Sequence, residues 1–192
     1  AGPSARHNLG RSQDMAATTA GMEKLAAPGG DNILDCGESG STLRFLIPVA
    51  AMTGRPWRFT GRGRLMERPL GVYADLFEKA GARFAQADGI VEVQGLLPGG
   101  TYHMPGDVSS QFLSGLLLAL PLAEQDSTLV VDGPLESAAY VDLTLDVMAA
   151  FGITITKNED GSFTVPGGQQ YAPAEYTVEG DWSQAAFFLG AG

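Results

Sequence analysis

The chain is poor in cysteine, histidine and basic residues, and each shortage removes a class of function. Its single cysteine, Cys36, excludes an internal disulfide and fits the cytoplasm. His7 and His103 stand apart from each other and from Cys36, so no metal-ligand spacing exists. Twelve Lys and Arg against 22 Asp and Glu give a formal net charge of −10, which argues against a general binder of nucleic acid or anionic membrane. Any anionic ligand must be held by a local cluster of cations, against the average field of the protein. Long apolar runs are missing too. The longest, Phe112 to Ala123, has 12 residues and contains Pro121, whereas a membrane-spanning helix needs about 20. No nucleophile elbow, phosphate-loop lysine motif or dinucleotide fingerprint is present, and no secretory signal is expected.

What is there is repetition. Gly37-Glu38-Ser39-Gly40-Ser41 opens the apolar run Leu43 to Met52, and Gly106-Asp107-Val108-Ser109-Ser110 opens Phe112 to Ala123. Gly180-Asp181-Trp182-Ser183 opens a third run, Ala185 to Ala191, and the spacings are 69 and 74 residues. An acidic residue and serines before an apolar helix are expected to cap its free N–H groups, and such helix ends also bind phosphates and carboxylates. A second repeat keeps step. Gly71 to Phe84 and Tyr140 to Thr154 each read as an amphipathic helix, a glycine stop and a strand, with Gly81 and Gly152 separated by 71 residues. Hairpins follow, Ala82 to Gln86 with Ile90 to Gln94 and Ile153 to Lys157 with Ser162 to Val165, turning at Asp88-Gly89 and Asp160-Gly161.

Gln13 to Ala26 reads as the same amphipathic helix from a copy that has lost its hairpin, since Pro28-Gly29-Gly30-Asp31 leads straight to a strand at Asn32 to Cys36. Each unit thus reads βαβαββ. The apolar helices have no polar face and should be buried. A period near 70 residues exceeds solenoid repeats and favours a closed pseudo-threefold α/β domain. The chain is expected to begin inside its first unit and end inside a fourth, as a fragment of a larger protein.

Several residues carry chemistry in this pattern, each with a plainer alternative. Five arginines crowd Arg55 to Arg68, and a solvated loop face explains most of them. Arg68 stands out because Pro69 follows it at a helix start and Glu67 precedes it, poised to orient it. A fixed guanidinium suits bidentate recognition of a carboxylate or phosphate. Ser109-Ser110-Gln111 offers hydroxyls, an amide and free N–H groups, or simply a helix cap. Gly40-Ser41-Thr42 with Arg44 offers close backbone approach plus a cation, or simply a glycine turn. Ser137 and Tyr140 read equally as a cap and a core-edge tyrosine.

Five phrases in order resolve these alternatives: Leu34-Asp35-Cys36-Gly37-Glu38-Ser39-Gly40-Ser41-Thr42-Leu43-Arg44, Glu67-Arg68-Pro69, Val108-Ser109-Ser110-Gln111-Phe112, Ser137-Ala138-Ala139-Tyr140-Val141-Asp142 and Val178-Glu179-Gly180-Asp181. Together they resemble the 3-phosphoshikimate 1-carboxyvinyltransferases, or EPSP synthases, which join phosphoenolpyruvate to shikimate 3-phosphate in the shikimate pathway. The resemblance spans essentially the whole chain but less than half of a full-length member. It implies two similar domains, each an α/β prism of three βαβαββ units with buried parallel helices, closing on ligands between them. Residues 1–177 would be most of the first domain, and 178–192 the crossing and the start of the second. By this resemblance Ser109, Ser110 and Ser137 contact shikimate 3-phosphate, with Tyr140 beside it, and Gln111 lies between the two substrates. Gly40 and Arg68 hold phosphoenolpyruvate with Arg44 nearby, and Asp181 sits at the crossing. No cofactor or metal is implied, and the full-length protein is expected to be a cytoplasmic monomer.

The departures matter as much. The family's N-terminal Lys-Ser motif, its catalytic aspartate and the phosphoenolpyruvate-binding cations of its second domain have no counterpart here. Acid–base groups are indispensable to the reaction, so the fragment is expected to be inactive alone. Phe45 stands where many relatives carry proline. Two rival readings are a related transferase acting on UDP-N-acetylglucosamine, which needs a cysteine-bearing loop, and a non-catalytic module that kept the fold. Cys36 ends the strand expected at Asn32 to Cys36 and reads as a small buried hydrophobe.

Overall fold

Repetition in the sequence becomes repetition in hydrogen bonding. The computed structural model describes residues 4–8, 10–27 and 29–178. β1 (Ala5–His7) and α1 (Gln13–Ala26) open it. The first complete unit runs β2 (Ile33–Asp35), α2 (Gly40–Ala51), β3 (Trp57–Thr60), α3 (Gly71–Lys79), β4 (Arg83–Ala87) and β5 (Ile90–Gln94). The second runs β6 (Gly100–Pro105), α4 (Ser110–Ala119), β7 (Ser127–Asp132), α5 (Ala138–Ala150), β8 (Thr156–Lys157) and β9 (Phe163–Val165). β10 (Glu175–Thr177) closes the described chain.

Both units fold alike. β2 pairs parallel with β3, and β5 then runs antiparallel to both β3 and β4, giving the order β2-β3-β5-β4. The second sheet, β6-β7-β9-β8, has the same order and the same directions. The expected hairpins form by two routes. Asp88 and Gly89 both take positive φ, 51° and 74°, as a two-residue primed turn requires. In the second hairpin only Gly161 does, at 82°, and Asp160 Oδ1 instead accepts from the Ser162 N–H at 2.9 Å. That longer loop shortens the pair, so β8 and β9 cover less than the expected Ile153 to Lys157 and Ser162 to Val165.

The two ends of the described chain meet. β1 pairs parallel with β10, Arg6 opposite Tyr176. β10 takes the first-strand place and β1 the second, just as β2 and β3 do.

The apolar helices are buried, as their all-round hydrophobicity requires. α2 buries Leu43, Leu46, Ile47, Ala50 and Ala51, and α4 buries Phe112, Leu113, Leu116 and Leu117. α4 is shorter than its apolar run because Leu120–Leu122, with Pro121, tightens into a 3-10 turn. Strand alternation supplies the rest: Trp57 and Phe59 face inward while Arg58 between them faces out to Glu92 at 2.8 Å. Each such aromatic contributes roughly 1.5–3 kcal/mol by burial. The Trp57 indole N–H is satisfied by Thr53 Oγ1 at 2.8 Å. Among the described residues no helix is long and apolar enough to cross a membrane.

Candidate functional site

Parallel packing of α2 on α4 brings two repeated phrases to one end of the domain. Serine does the capping at both. Ser39 Oγ accepts from the Thr42 N–H at 3.2 Å, and Ser109 Oγ accepts from the Gln111 N–H at 3.4 Å. The acids expected to share this task, Glu38 and Asp107, stay in solvent. The two ends then diverge. Ser39 is buried and its hydroxyl is also engaged by Thr42 Oγ1 at 2.8 Å and Ser41 Oγ at 3.1 Å. Ser109 keeps a single long bond, and the Ser110 hydroxyl makes none among the described residues.

Loops stitched to the capping turns complete each half. The Gly37 carbonyl accepts from the Arg62 N–H at 2.6 Å, and the Gly106 carbonyl accepts from the Glu136 N–H at 2.9 Å. A Cβ on Gly106 would lie 2.5 Å from the Pro134 carbonyl oxygen, so only glycine permits this approach. The second stitch carries Ser137 to the pocket. Ser137 is not a side-chain cap: it makes no capping bond and holds a left-handed backbone, φ 57° and ψ 38°. Such strain in a non-glycine residue costs about 1 kcal/mol and concentrates at functional positions. Tyr140, one turn on, is 65 % exposed and belongs to the pocket wall, not the core edge.

Ser109, Ser110, Gln111, Ser137 and Tyr140 thus line one open cavity of about 620 Å³ between α4 and α5, with Phe45 and Ser114 among its other walls. Its polar end carries three serine hydroxyls, one amide and the N-terminus of α4, a set suited to a phosphate.

The other half is cationic. A Cβ on Gly40 would lie 2.5 Å from Arg68 Nη1 and 3.0 Å from Arg44 Nη1, so the missing side chain is what lets two guanidinium groups converge on the start of α2. Among the described residues neither arginine has a carboxylate partner. Arg44 lies over the Phe112 ring at 5.1 Å, and its buried Nε has no hydrogen-bond acceptor. Burial, and then the adjacent Arg68 charge, lower its pKa from the ordinary arginine value. Two like charges turned toward each other at a helix N-terminus form a site for a small anion. Arg44 Nη1 donates to Gln111 Oε1 at 2.7 Å, so one contact joins the cationic half to the hydroxyl half.

The neighbouring arginines follow the plainer reading. Arg55 donates to the Leu25 and Ala27 carbonyls and stacks on Trp57, Arg58 pairs with Glu92, and Arg64 pairs with Glu67 at 3.1 Å. Glu67 therefore does not orient Arg68. Gln86 holds that turn instead, its Nε2 donating to the carbonyls of Met66 at 2.8 Å and Arg68 at 2.9 Å. Sequence reasoning missed Gln86, because nothing in a strand glutamine signals a turn 18 residues away. A second depression, about 450 Å³ beside Arg58 and Arg83, offers less to an anion because Glu92 faces both cations.

The profile of the family described as EPSP synthase (3-phosphoshikimate 1-carboxyvinyltransferase) matches residues 5–192. The chain belongs to the EPSP synthase family. A 3-phosphoshikimate 1-carboxyvinyltransferase of Clostridium perfringens is 41% identical across 100% of this chain and 50% of its own length. One from Clostridium botulinum is 46% identical over 158 residues, covering 81% of this chain and 36% of that protein. The chain thus spans about half the length of the first of these curated relatives, and less of the second. The solved EPSP synthase of Acinetobacter baumannii superposes with a TM-score of 0.78 at 23% identity, over 98% of this chain and 48% of that one, which supports the same fold.

Within this EPSP synthase family chain the cysteine-loop rival finds no support. Cys36 is fully buried and its thiol is pushed up to about 12, by burial first and by the Asp35 charge second. A thiol reagent at pH 8 is expected to modify native Cys36 at least about a hundredfold more slowly than the urea-unfolded chain. A comparable rate would show that the thiol is accessible. Asp181 and the third repeated phrase lie outside the described residues.

Proposed function

We propose that this chain is the half of a 3-phosphoshikimate 1-carboxyvinyltransferase that holds much of the shikimate 3-phosphate site and one wall of the phosphoenolpyruvate site. The observation that carries this reading is the Arg44–Gln111 contact, which sets a hydroxyl-lined pocket against a two-arginine anion site. Ser109, Ser110 and Ser137 donate to the shikimate phosphate, Tyr140 flanks the ring, and Gln111 lies between the substrates. Gly40, Arg44 and Arg68 receive the carboxylate or phosphate of phosphoenolpyruvate. Each hydrogen bond to a charged group contributes roughly 1.5–3 kcal/mol.

The arginines, serines and glutamine of this set are not suited to moving the protons of the reaction. Arginine stays protonated, and serine hydroxyls and amides do not titrate in the working range. The role of this half is to bind and orient, while acid and base come from the rest of the longer polypeptide. On this reading residues 1–177 make up most of the first domain, 178–192 with Asp181 lead into the second, and the full-length protein is a cytoplasmic monomer.

Steady-state kinetics on the full-length product of the gene test the proposal. Phosphate release is expected only with both substrates present, and none from the 192-residue chain alone. Release by the full-length protein that does not depend on shikimate 3-phosphate would overturn it.

A further inference from the structure

The two helices that carry the candidate site meet around one buried hydroxyl. α2 contains Pro48, which has no N–H, so the Arg44 carbonyl lacks the donor that an α-helix supplies from four residues on. Tyr73 of α3, fully buried, donates to that carbonyl at 2.7 Å and also lies 3.2 Å from the Phe112 carbonyl of α4. Gly115 of α4 makes the space. A Cβ there would collide with the Tyr73 hydroxyl, lie 2.6 Å from the Arg44 carbonyl oxygen and reach Pro48 Cγ at 3.2 Å. Pro48 opens a vacancy in one helix ladder, Gly115 thins the facing helix, and Tyr73 fills the gap between them.

We propose that Tyr73 is a positioning residue, a clasp that sets α2 against α4 and thereby the Arg44–Gln111 contact between the two halves of the site. Both carbonyls it meets belong to residues at the site or next to it, since Arg44 bears the buried guanidinium and Phe112 directly follows Gln111. Edge-on contact of the Tyr73 ring with Phe112, at 5.0 Å between centroids, fixes the ring that lies under Arg44. The clasp itself is a statement about geometry; only its bearing on ligands rests on the function proposed above.

The test restores the donor by another route. In the 192-residue chain, Tyr73→Phe keeps the ring and removes the hydroxyl. It is expected to lower the melting temperature by about 2–10 °C and to shift the Arg44 Nε–H and Gln111 side-chain amide NMR signals. Adding Pro48→Ala returns an N–H to the Arg44 carbonyl but makes no bond to α4, so the Tyr73→Phe/Pro48→Ala double variant is expected to regain melting temperature while the Arg44 and Gln111 signals stay displaced. Should Tyr73→Phe alone fail to fold, the displaced signals are read in the double variant. The proposal is overturned if Tyr73→Phe leaves the Arg44 and Gln111 signals in place, or if the double variant returns them to their original positions. Because no ligand is used, this result stands apart from the outcome of the kinetic test.

Discussion

Arg68→Ala is expected to raise the phosphoenolpyruvate requirement of the full-length protein about 100-fold, and that for shikimate 3-phosphate less than about threefold. Arg68 sits at the cationic half of the site, across the start of α2 from the cavity lined by Ser109, Ser110 and Ser137. A guanidinium gripping a carboxylate or phosphate makes two charge-assisted bonds. Losing about 3 kcal/mol between them corresponds to the predicted factor. The fold should not notice. Arg68 is exposed, and its turn is fixed through backbone carbonyls by Gln86 and through its own N–H to the Leu65 carbonyl. Substrate requirements measured separately decide the matter, and an equal rise in both would remove Arg68 from its assigned role.

Gly40→Ala should separate binding from stability. Gly40 is the first residue of α2 and takes no positive φ, so alanine is compatible with its backbone and favoured in a helix. The added methyl meets only the ends of two long side chains, 2.5 Å from Arg68 Nη1 and 3.0 Å from Arg44 Nη1. They can swing away at little cost, and so leave the place where an anion needs them. Expected is a melting temperature within about 2 °C of the parent, with phosphoenolpyruvate affinity reduced about 30-fold. Combined with Arg68→Ala the losses should fall short of additive, since both act on one guanidinium. Full additivity would mean that Gly40 acts through something other than Arg68.

The sequence made the repeat plain because each unit spells its own punctuation. The glycine after α3 and the glycine after α5 both take positive φ, at Gly81 and Gly152, and the serines before α2 and α4 both cap. Patterns of this kind are local, and local patterns survive in a one-dimensional reading. Closure was expected, but not that β1 and β10 would make it, because that pairing joins residues about 170 positions apart with only three residues on each strand. The site was half legible. Gly40, Ser109 and Ser110 lie inside the repeated phrases and Gln111 directly after one, where a helix end announces an anion site. What fixes Arg68 and Arg44 was not legible. Glu67 looked like the partner of Arg68 by adjacency, yet a three-residue spacing suits it to Arg64, and the real support comes from Gln86 on a neighbouring strand. Likewise Pro48, Gly115 and Tyr73 are unremarkable singly, and only their meeting between two helices gives them a purpose.

Titration of the isotope-labelled 192-residue chain with shikimate 3-phosphate, followed by amide NMR, tests the central claim most directly. Millimolar ligand is expected to shift the Ser109, Ser110, Gln111 and Ser137 signals together along one saturable curve, leaving the Arg58 and Glu92 signals on β3 and β5 unmoved. Absence of any shift at those four residues, or shifts of the same size beside Arg58 and Arg83, would contradict a preformed site at the joined ends of α2 and α4.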